Sequence, residues 1–133
     1  SSMALLVISG EVVSGKGEGA LFTGAAWARA GFQNLVAIDP WPGTLNLRIR
    51  DQHSLAVWNE IKGAPGLVLR APDPAWCDAR VYKAMIQGGL KGAVIVPGVS
   101  TYAPDQVEII AAVSIRETLR LGDGDVLEVE VTA

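Results

Sequence analysis

The stretch ARVYKAMIQGGLKGAVIV, residues 79–96, contains two runs of strand length on either side of the pair Gly88-Gly89. The runs, Ala79–Ile86 and Ala93–Val96, are rich in β-branched and aliphatic residues, which favour extended backbone. Two adjacent glycines are typical of a tight turn. The stretch therefore predicts two short strands joined by a turn.

The same pattern of short apolar runs and tight turns extends over the rest of the chain. Only three short helical segments are expected, at 21–31 with Gly31 as the C-cap, at 52–61 and at 114–119. Strands this dense favour a mainly β fold closed into a small barrel, whereas a parallel Rossmann sheet needs repeated long helices. The further strands are predicted at 4–13, Leu45–Ile49, Leu67–Leu69, Val107–Ala111 and Val126–Val131, and further turns at Pro97-Gly98 and Asp123-Gly124-Asp125.

Length and composition limit the possible classes of protein. The chain has 133 residues, half of them apolar, and a net charge of −3, which suits one domain and argues against a nucleic-acid partner. A single cysteine and a single histidine exclude an internal disulfide and argue against a zinc site. Ser1-Ser2-Met3 has the form of a cloning remnant, which leaves 4–133 as the domain. The apolar run Ala4–Ile8 is too short for a signal peptide or a membrane span, so we expect a cytoplasmic protein without a membrane partner. We also expect a monomer.

A glycine-rich segment, SGKGEG at 14–19, directly follows the first strand. Glycines let backbone N–H groups approach an anion, and Lys16 adds a positive charge suited to a phosphate. Gly10 to Lys16 also matches the start of a P-loop, but Gly17 replaces the required Ser or Thr, and the α/β context is absent. The segment is either a phosphate cradle or a flexible turn, and its own residues do not separate the two.

The segment PGTLN at 42–46 leads into a strand. Thr44 and Asn46 are two residues apart, so their side chains leave the same face of the strand. Both offer neutral oxygen atoms, which suit Mg²⁺ when substrate phosphates complete its coordination. The alternative is that both residues simply stabilise a turn at the start of the strand.

Taken together, these segments resemble the CTP-dependent riboflavin kinase family typical of archaea. The similarity covers nearly the whole chain in order: Gly10–Gly19, PWPGTLNLRI at 40–49, CDARVYKAMIQG at 77–88, STYAPDQVEIIAA at 100–112 and SIRETLRLGDGDVLEVEV at 114–131. The resemblance implies a cradle-loop β-barrel that transfers the γ-phosphate of CTP to the terminal ribityl hydroxyl of riboflavin, giving FMN and CDP. It also implies a divalent metal, expected to be Mg²⁺.

The resemblance assigns roles by position. Thr44 and Asn46 would bind the metal, and Thr101 and Glu108 would contact the flavin. Glu108 would also serve as the base for the ribityl hydroxyl, although a Glu in a strand more commonly faces solvent. The nucleotide would contact Gly10, Ser14, Gly15, Lys16, Gly17, Glu18, Gly19, Val113, Ser114, Ile115 and Arg116.

Three positions depart from the family pattern. Ser100 stands where an arginine commonly precedes Thr-x-Tyr, which removes a bidentate anion contact. Trp41 replaces a tyrosine before Pro-Gly-Thr, and Ala112 replaces a proline after Ile-Ile-Ala. The first departure bears on activity more than on the fold.

Three other functions compete with this interpretation. Ser100 and the short chain are compatible with a non-catalytic barrel that binds a nucleotide or a flavin as a sensor or interaction module. A DNA-binding barrel of the swapped-hairpin kind conflicts with the acidic charge balance. A related kinase could act on another small alcohol.

Overall fold

The computed structural model describes residues 5–14, 23–73, 78–98 and 103–133. Within these residues the helices with assigned bounds are α1 (Ala26–Val36), α2 (Gln52–Gly63) and α3 (Ile115–Leu119). The strands are β1 (Leu5–Val13), β2 (Leu45–Arg48), β3 (Leu67–Leu69), β4 (Ala79–Ile86), β5 (Leu90–Pro97), β6 (Gln106–Ala111) and β7 (Val126–Thr132). The predicted strands are therefore confirmed, with β5 beginning three residues earlier than expected.

The strands form one antiparallel sheet that closes on itself. Their order is β4-β5-β6-β2-β1-β7, and β7 pairs back onto β4, with Ala84 opposite Val131. The other half of the same edge of β4 pairs with the short strand β3, with Ala79 opposite Leu69. Closure removes the exposed edges that an open sheet would present. The expected small closed β-barrel with a few short helices is confirmed.

The barrel interior is filled by alternate residues of each strand. Leu45, Leu47 and Ile49 are all buried, as their spacing predicts. Helix α2 closes this core by contributing Trp58 and Ile61. The remaining buried members of the interior cluster are Ile8, Val12, Tyr82, Ala84, Ile86, Val94, Val107, Ile109, Ala111, Ile115, Leu127, Val129 and Val131.

A second apolar cluster lies on the outer face of the barrel, under α1. Phe32 and Val36 of this helix are buried in it together with Ile95 of β5 and Ile110 of β6. The outer face of β5 and β6 is thus covered as well as the inner one. A polar residue on that face is therefore removed from water more than its position in a β-strand suggests.

The predicted end of the first helix is wrong. Helix α1 continues through Gly31 to Val36 and ends at Ala37, whose φ of 57° is left-handed and whose N–H donates to the carbonyl of Gln33 at 3.1 Å. A Cβ at Gly31 would lie 2.1 Å from Cδ1 of Leu69, so the end of that leucine side chain would have to shift to admit one. The glycine lets the helix approach β3 and does not end it.

No helix among the described residues combines the length and the apolar character needed to cross a bilayer.

Candidate functional site

A row of side chains crosses four strands near one end of the barrel. Glu108 of β6 lies directly opposite Ile95 of β5 on one side and Asn46 of β2 on the other. Asn46 in turn lies opposite Val13, the last residue of β1. Directly opposed residues share a face of the sheet, and neighbouring strands are about 4.8 Å apart. The row therefore places a carboxylate, an amide and the end of β1 side by side on the outer face.

The two polar members of this row are nearly buried. Glu108 is 9% exposed and Asn46 is 8% exposed. The Nε2 of Gln106 donates to Oδ1 of Asn46 at 3.0 Å, which fixes the orientation of the Asn46 amide. The solvent-facing alternative for Glu108 is therefore wrong, because its side chain is nearly buried.

The turn that precedes β2 is held by a buried hydroxyl. The Oγ1 of Thr23, which is 1% exposed, accepts from the N–H of Gly43 at 2.8 Å. Gly43 has a φ of 100°, a conformation that side chains rarely adopt. On the other side of the turn, the N–H of Trp41 donates to the carbonyl of Ala111 at 2.8 Å, which ties the turn to the end of β6. Thr44 follows this fixed turn directly.

A cleft of about 170 Å³ opens at the end of the barrel where β2 begins and β6 ends. It brings Thr44 together with the predicted nucleotide segment at 113–116, although 69 positions separate Thr44 from Val113 in the chain. Trp41, at 48% exposure, stands at the cleft as an accessible aromatic surface. The full lining is Trp41, Pro42, Gly43, Thr44, Leu45, Ile109, Ala111, Val113, Ser114, Ile115 and Arg116.

The segment at 113–116 leads into α3. The Oγ of Ser114 accepts from the N–H of Glu117 at 3.3 Å and caps this short helix, while Ile115 is buried in the barrel core. The buried isoleucine anchors the segment, and the following residue, Arg116, lines the cleft. The expected one or two helical turns are confirmed.

Arg116 and Ser14 meet at the carboxylate of Asp123. The Nη2 of Arg116 donates to Oδ1 of Asp123 at 2.7 Å and to the carbonyl of Val13 at 3.3 Å. The Oγ of Ser14 donates to Oδ2 of Asp123 at 2.7 Å. The hydrogen bond from Arg116, and after it that from Ser14, lowers the pKa of the Asp123 carboxyl, so this group stays ionised at neutral pH. The segment Asp123-Gly124-Asp125 forms the expected turn, and its central residue Gly124 has a φ of 93°.

Of the other residues predicted to contact the nucleotide, the structure describes Gly10 but not the segment from Gly15 to Gly19. Gly10 lies inside β1, opposite Leu127, where an added Cβ would come within 2.9 Å of Cβ of Leu47. Because Gly10 has no side chain, β1 can approach β2 closely at this position. A nucleotide contact at Gly10 stays a prediction. Gly15, Lys16, Gly17, Glu18 and Gly19, together with the predicted flavin contact Thr101, lie outside the described residues.

The donor set at the predicted metal position suits a hard cation. Thr44 and Asn46 offer oxygen atoms, Asn46 retains a second lone pair beside its bond from Gln106, and the carboxylate of Glu108 is opposite Asn46. Among the described residues no group of three or more His, Cys, Asp or Glu side chains is placed to hold a metal ion. These residues fit Mg²⁺ only where phosphate oxygens supply most of its coordination.

Three residues that position the site were missed by the sequence reasoning. Thr23 fixes the turn before Thr44, Gln106 fixes the amide of Asn46, and Asp123 joins Ser14 to Arg116. Thr23 offered a weak signal, as a hydroxyl residue just after the glycine-rich segment. The partners of the other two depend on strand register and on contacts between distant segments.

Together, the fold and the site define a small antiparallel barrel with a polar cleft and a nearly buried carboxylate at one end. The model of the family of CTP-dependent riboflavin kinases, also described as domain of unknown function DUF120, matches residues 12–131. The chain belongs to this family.

Curated relatives named riboflavin kinase agree with this assignment. One from Pyrobaculum aerophilum is 34% identical over 98% of this chain and 62% of its own length. One from Thermococcus kodakarensis is 40% identical over 94% of this chain and 58% of its own length. One from Sulfurisphaera tokodaii is 30% identical over 96% of both chains. The chain thus spans somewhat over half the length of several longer relatives and nearly the whole of a short one.

Proposed function

We propose that this protein phosphorylates riboflavin to FMN, with CTP as the phosphate donor and a divalent metal, Mg²⁺, as its cofactor. The observation that carries the proposal is the cleft that Thr44 lines together with the 113–116 segment. Asn46 and Glu108 do not line this cleft, but they lie opposite each other on β2 and β6, the strands whose ends form it. Family membership and the curated names of the relatives support the same reaction.

The cleft provides the binding part of this proposal. Arg116 and Thr44 both line it, and they would offer a positive charge and a hydroxyl to the phosphates. Lys16 and the glycines around it would add a further charge and backbone donors. The exposed ring of Trp41 offers a flat surface on which a planar ring can stack.

Glu108 would act as the general base. The terminal ribityl oxygen would attack the γ-phosphorus of CTP, the bond to the CDP oxygen would break, and the hydroxyl proton would pass to the Glu108 carboxylate. This residue is 9% exposed and lies one strand away from Asn46, so it could act at the hydroxyl while most water is excluded. Thr101 would help to hold the flavin.

When bound, the metal would neutralise charge on the transferring phosphate. Asn46 and Thr44 would hold it, with the Asn46 amide oriented by Gln106. Positioning and charge stabilisation contribute most of the catalysis in phosphoryl transfer, so a site with few protein ligands is adequate.

The test is FMN formation by the purified protein. It is incubated with riboflavin, Mg²⁺ and either CTP or ATP, and the flavins are separated by chromatography. We expect FMN with CTP and much less with ATP. FMN formed equally well with ATP would contradict the proposed donor.

A non-catalytic flavin or nucleotide sensor is the second candidate, favoured by Ser100 at the position of the family arginine. A thermal-shift panel with CTP, ATP, riboflavin and FMN separates the two, because a ligand that binds the folded state raises its melting temperature. Stabilisation by these ligands without any FMN formation would favour the sensor. The cytoplasmic location, the monomeric state and the absence of nucleic-acid and membrane partners stay predictions.

A further inference from the structure

The carboxylate of Asp123 joins two parts of the proposed nucleotide site that are far apart in the chain. It accepts from Nη2 of Arg116 and from Oγ of Ser14, both at 2.7 Å, and Ser14 is 109 residues away in sequence. Both partners belong to the set expected to contact the nucleotide. Asp123 itself does not line the cleft. Any effect of Asp123 on the cleft would therefore pass through these neighbours.

The turn that carries Asp123 is fixed to β1. The N–H of Gly124 donates to the carbonyl of Val12 at 2.8 Å, and the N–H of Val12 donates to the carbonyl of Asp125 at 2.7 Å. Within the turn, Oδ2 of Asp125 accepts from the N–H of Gly122 at 2.8 Å. The backbone that presents the Asp123 carboxylate is thus tied to the same strand end that borders the site.

The hydrogen bonds of Arg116 are concentrated on one nitrogen of its guanidinium group. Within the described residues both of its hydrogen bonds, to Asp123 and to the carbonyl of Val13, use Nη2. A guanidinium is planar and carries five N–H donors, so holding one nitrogen fixes the plane that the others share. Arg116 also lines the cleft, as does Thr44. Neither of these two hydrogen bonds uses Nε or Nη1.

We propose that Asp123 is a positioning residue for the nucleotide: it orients the guanidinium of Arg116 towards the phosphates, and Ser14 steadies the Asp123 carboxylate. This inference rests on the proposed function. The two ways in which Asp123 could act have opposite effects on nucleotide binding. By orienting Arg116 the carboxylate would strengthen binding, whereas by its negative charge alone it would repel the phosphates and weaken binding. Removing the side chain therefore distinguishes the two effects.

The experiment measures the dissociation constants of CDP and FMN by calorimetry for the wild type, Asp123→Ala and Asp123→Asn. We expect Asp123→Ala to weaken CDP binding about 5-fold, the scale of an exposed charged pair, and to change FMN binding less than 2-fold. Asp123→Asn should weaken CDP binding less, because its amide oxygen can still accept from Arg116. Asp39→Asn is the matched control, since it weakens the Arg29–Asp39 ion pair, of which neither residue lines the cleft.

A double-mutant cycle with Arg116→Gln tests whether Asp123 acts through the arginine. We expect Asp123→Ala to add less than 2-fold to the CDP dissociation constant once Arg116 is replaced. Urea unfolding midpoints close to the wild type would confirm that the variants are folded. A merely structural role for Asp123 would give equal losses in both backgrounds and would overturn the inference.

Two further outcomes are decisive. Unchanged or tighter CDP binding in Asp123→Ala, with a wild type that binds CDP and makes FMN, would overturn this inference and leave the proposed function in place. A wild type that binds no CDP would overturn both.

Discussion

The two faces of β2 differ in the polarity of the residues that they bury. On the inner face, Leu47 is fully buried between Val12 and Val107, its partners on the neighbouring strands, which are also fully buried. On the outer face, one residue earlier, Asn46 is buried between Val13 and Glu108. The inner row is wholly apolar, whereas the outer row contains an amide and a carboxylate.

This difference indicates which face stabilises the fold and which face is suited to the proposed chemistry. Apolar burial stabilises the inner row, at roughly 1.5–3 kcal/mol for each large side chain. Burial of an amide or a carboxylate costs free energy unless hydrogen bonds compensate, so polar residues persist there only with partners such as Gln106. A buried amide directly opposite a buried carboxylate is the feature of this sheet that suggests a functional site.

The largest expected effect is on the outer face. Asn46→Ala and Thr44→Ala should each lower kcat/KM for FMN formation by about 100-fold or more, because each removes an oxygen expected to help hold charge in the transition state. Turnover is measured at limiting Mg²⁺. The outer-face change should leave the protein folded, and wild-type-like turnover in either variant would remove the metal assignment.

The matching change on the inner face should affect stability. Leu47→Ala should lower the free energy of unfolding by about 2–5 kcal/mol, since it leaves a cavity in the barrel core. Urea unfolding measures this loss, and activity per folded molecule should stay near that of the wild type. A large loss of activity in fully folded Leu47→Ala would contradict the separation of the two faces.

A smaller effect is expected where β1 approaches β2. Gly10→Ala should destabilise the fold by about 1–3 kcal/mol, because the new methyl group would lie 2.9 Å from Cβ of Leu47. Unfolding by urea gives the loss. The affinity of the same variant for CDP tests whether Gly10 also contributes to nucleotide binding. An unchanged free energy of unfolding would contradict the packing role, because it would mean that the two strands can move apart there without cost.

The smallest effect concerns the cap of α2, which closes the inner core. The N–H of Ser54 donates to Oδ2 of Asp51 at 2.8 Å and lowers the pKa of this carboxyl below its ordinary value of 3.8. Because the pKa is lower in the folded state, the cap stabilises the protein above about pH 4 and is lost as the pH falls through the folded value. Asp51→Asn should therefore reduce the difference in stability between pH 6 and pH 3, measured by urea unfolding. An identical pH dependence in both proteins would contradict this role.

The sequence was sufficient for the strands and the barrel, because alternation and turn residues are local signals. It failed at Gly31, which lies inside α1 next to Leu69 of β3 and does not end the helix. It also could not establish that Glu108 is buried, since burial on the outer face of a strand depends on segments from other parts of the chain. The link from Asp123 to Ser14 was equally hidden, because it spans 109 residues.

The most direct test of the account follows labelled phosphate from γ-labelled CTP in the presence of riboflavin and Mg²⁺, with wild-type protein and Glu108→Gln. The account predicts label in FMN with the wild type and a rate about 10²–10⁴-fold lower with Glu108→Gln, because the amide cannot accept the hydroxyl proton. The riboflavin dissociation constant should change little between the two proteins. Label that never reaches FMN, although both ligands bind the wild type, would contradict the account and leave the barrel as a sensor.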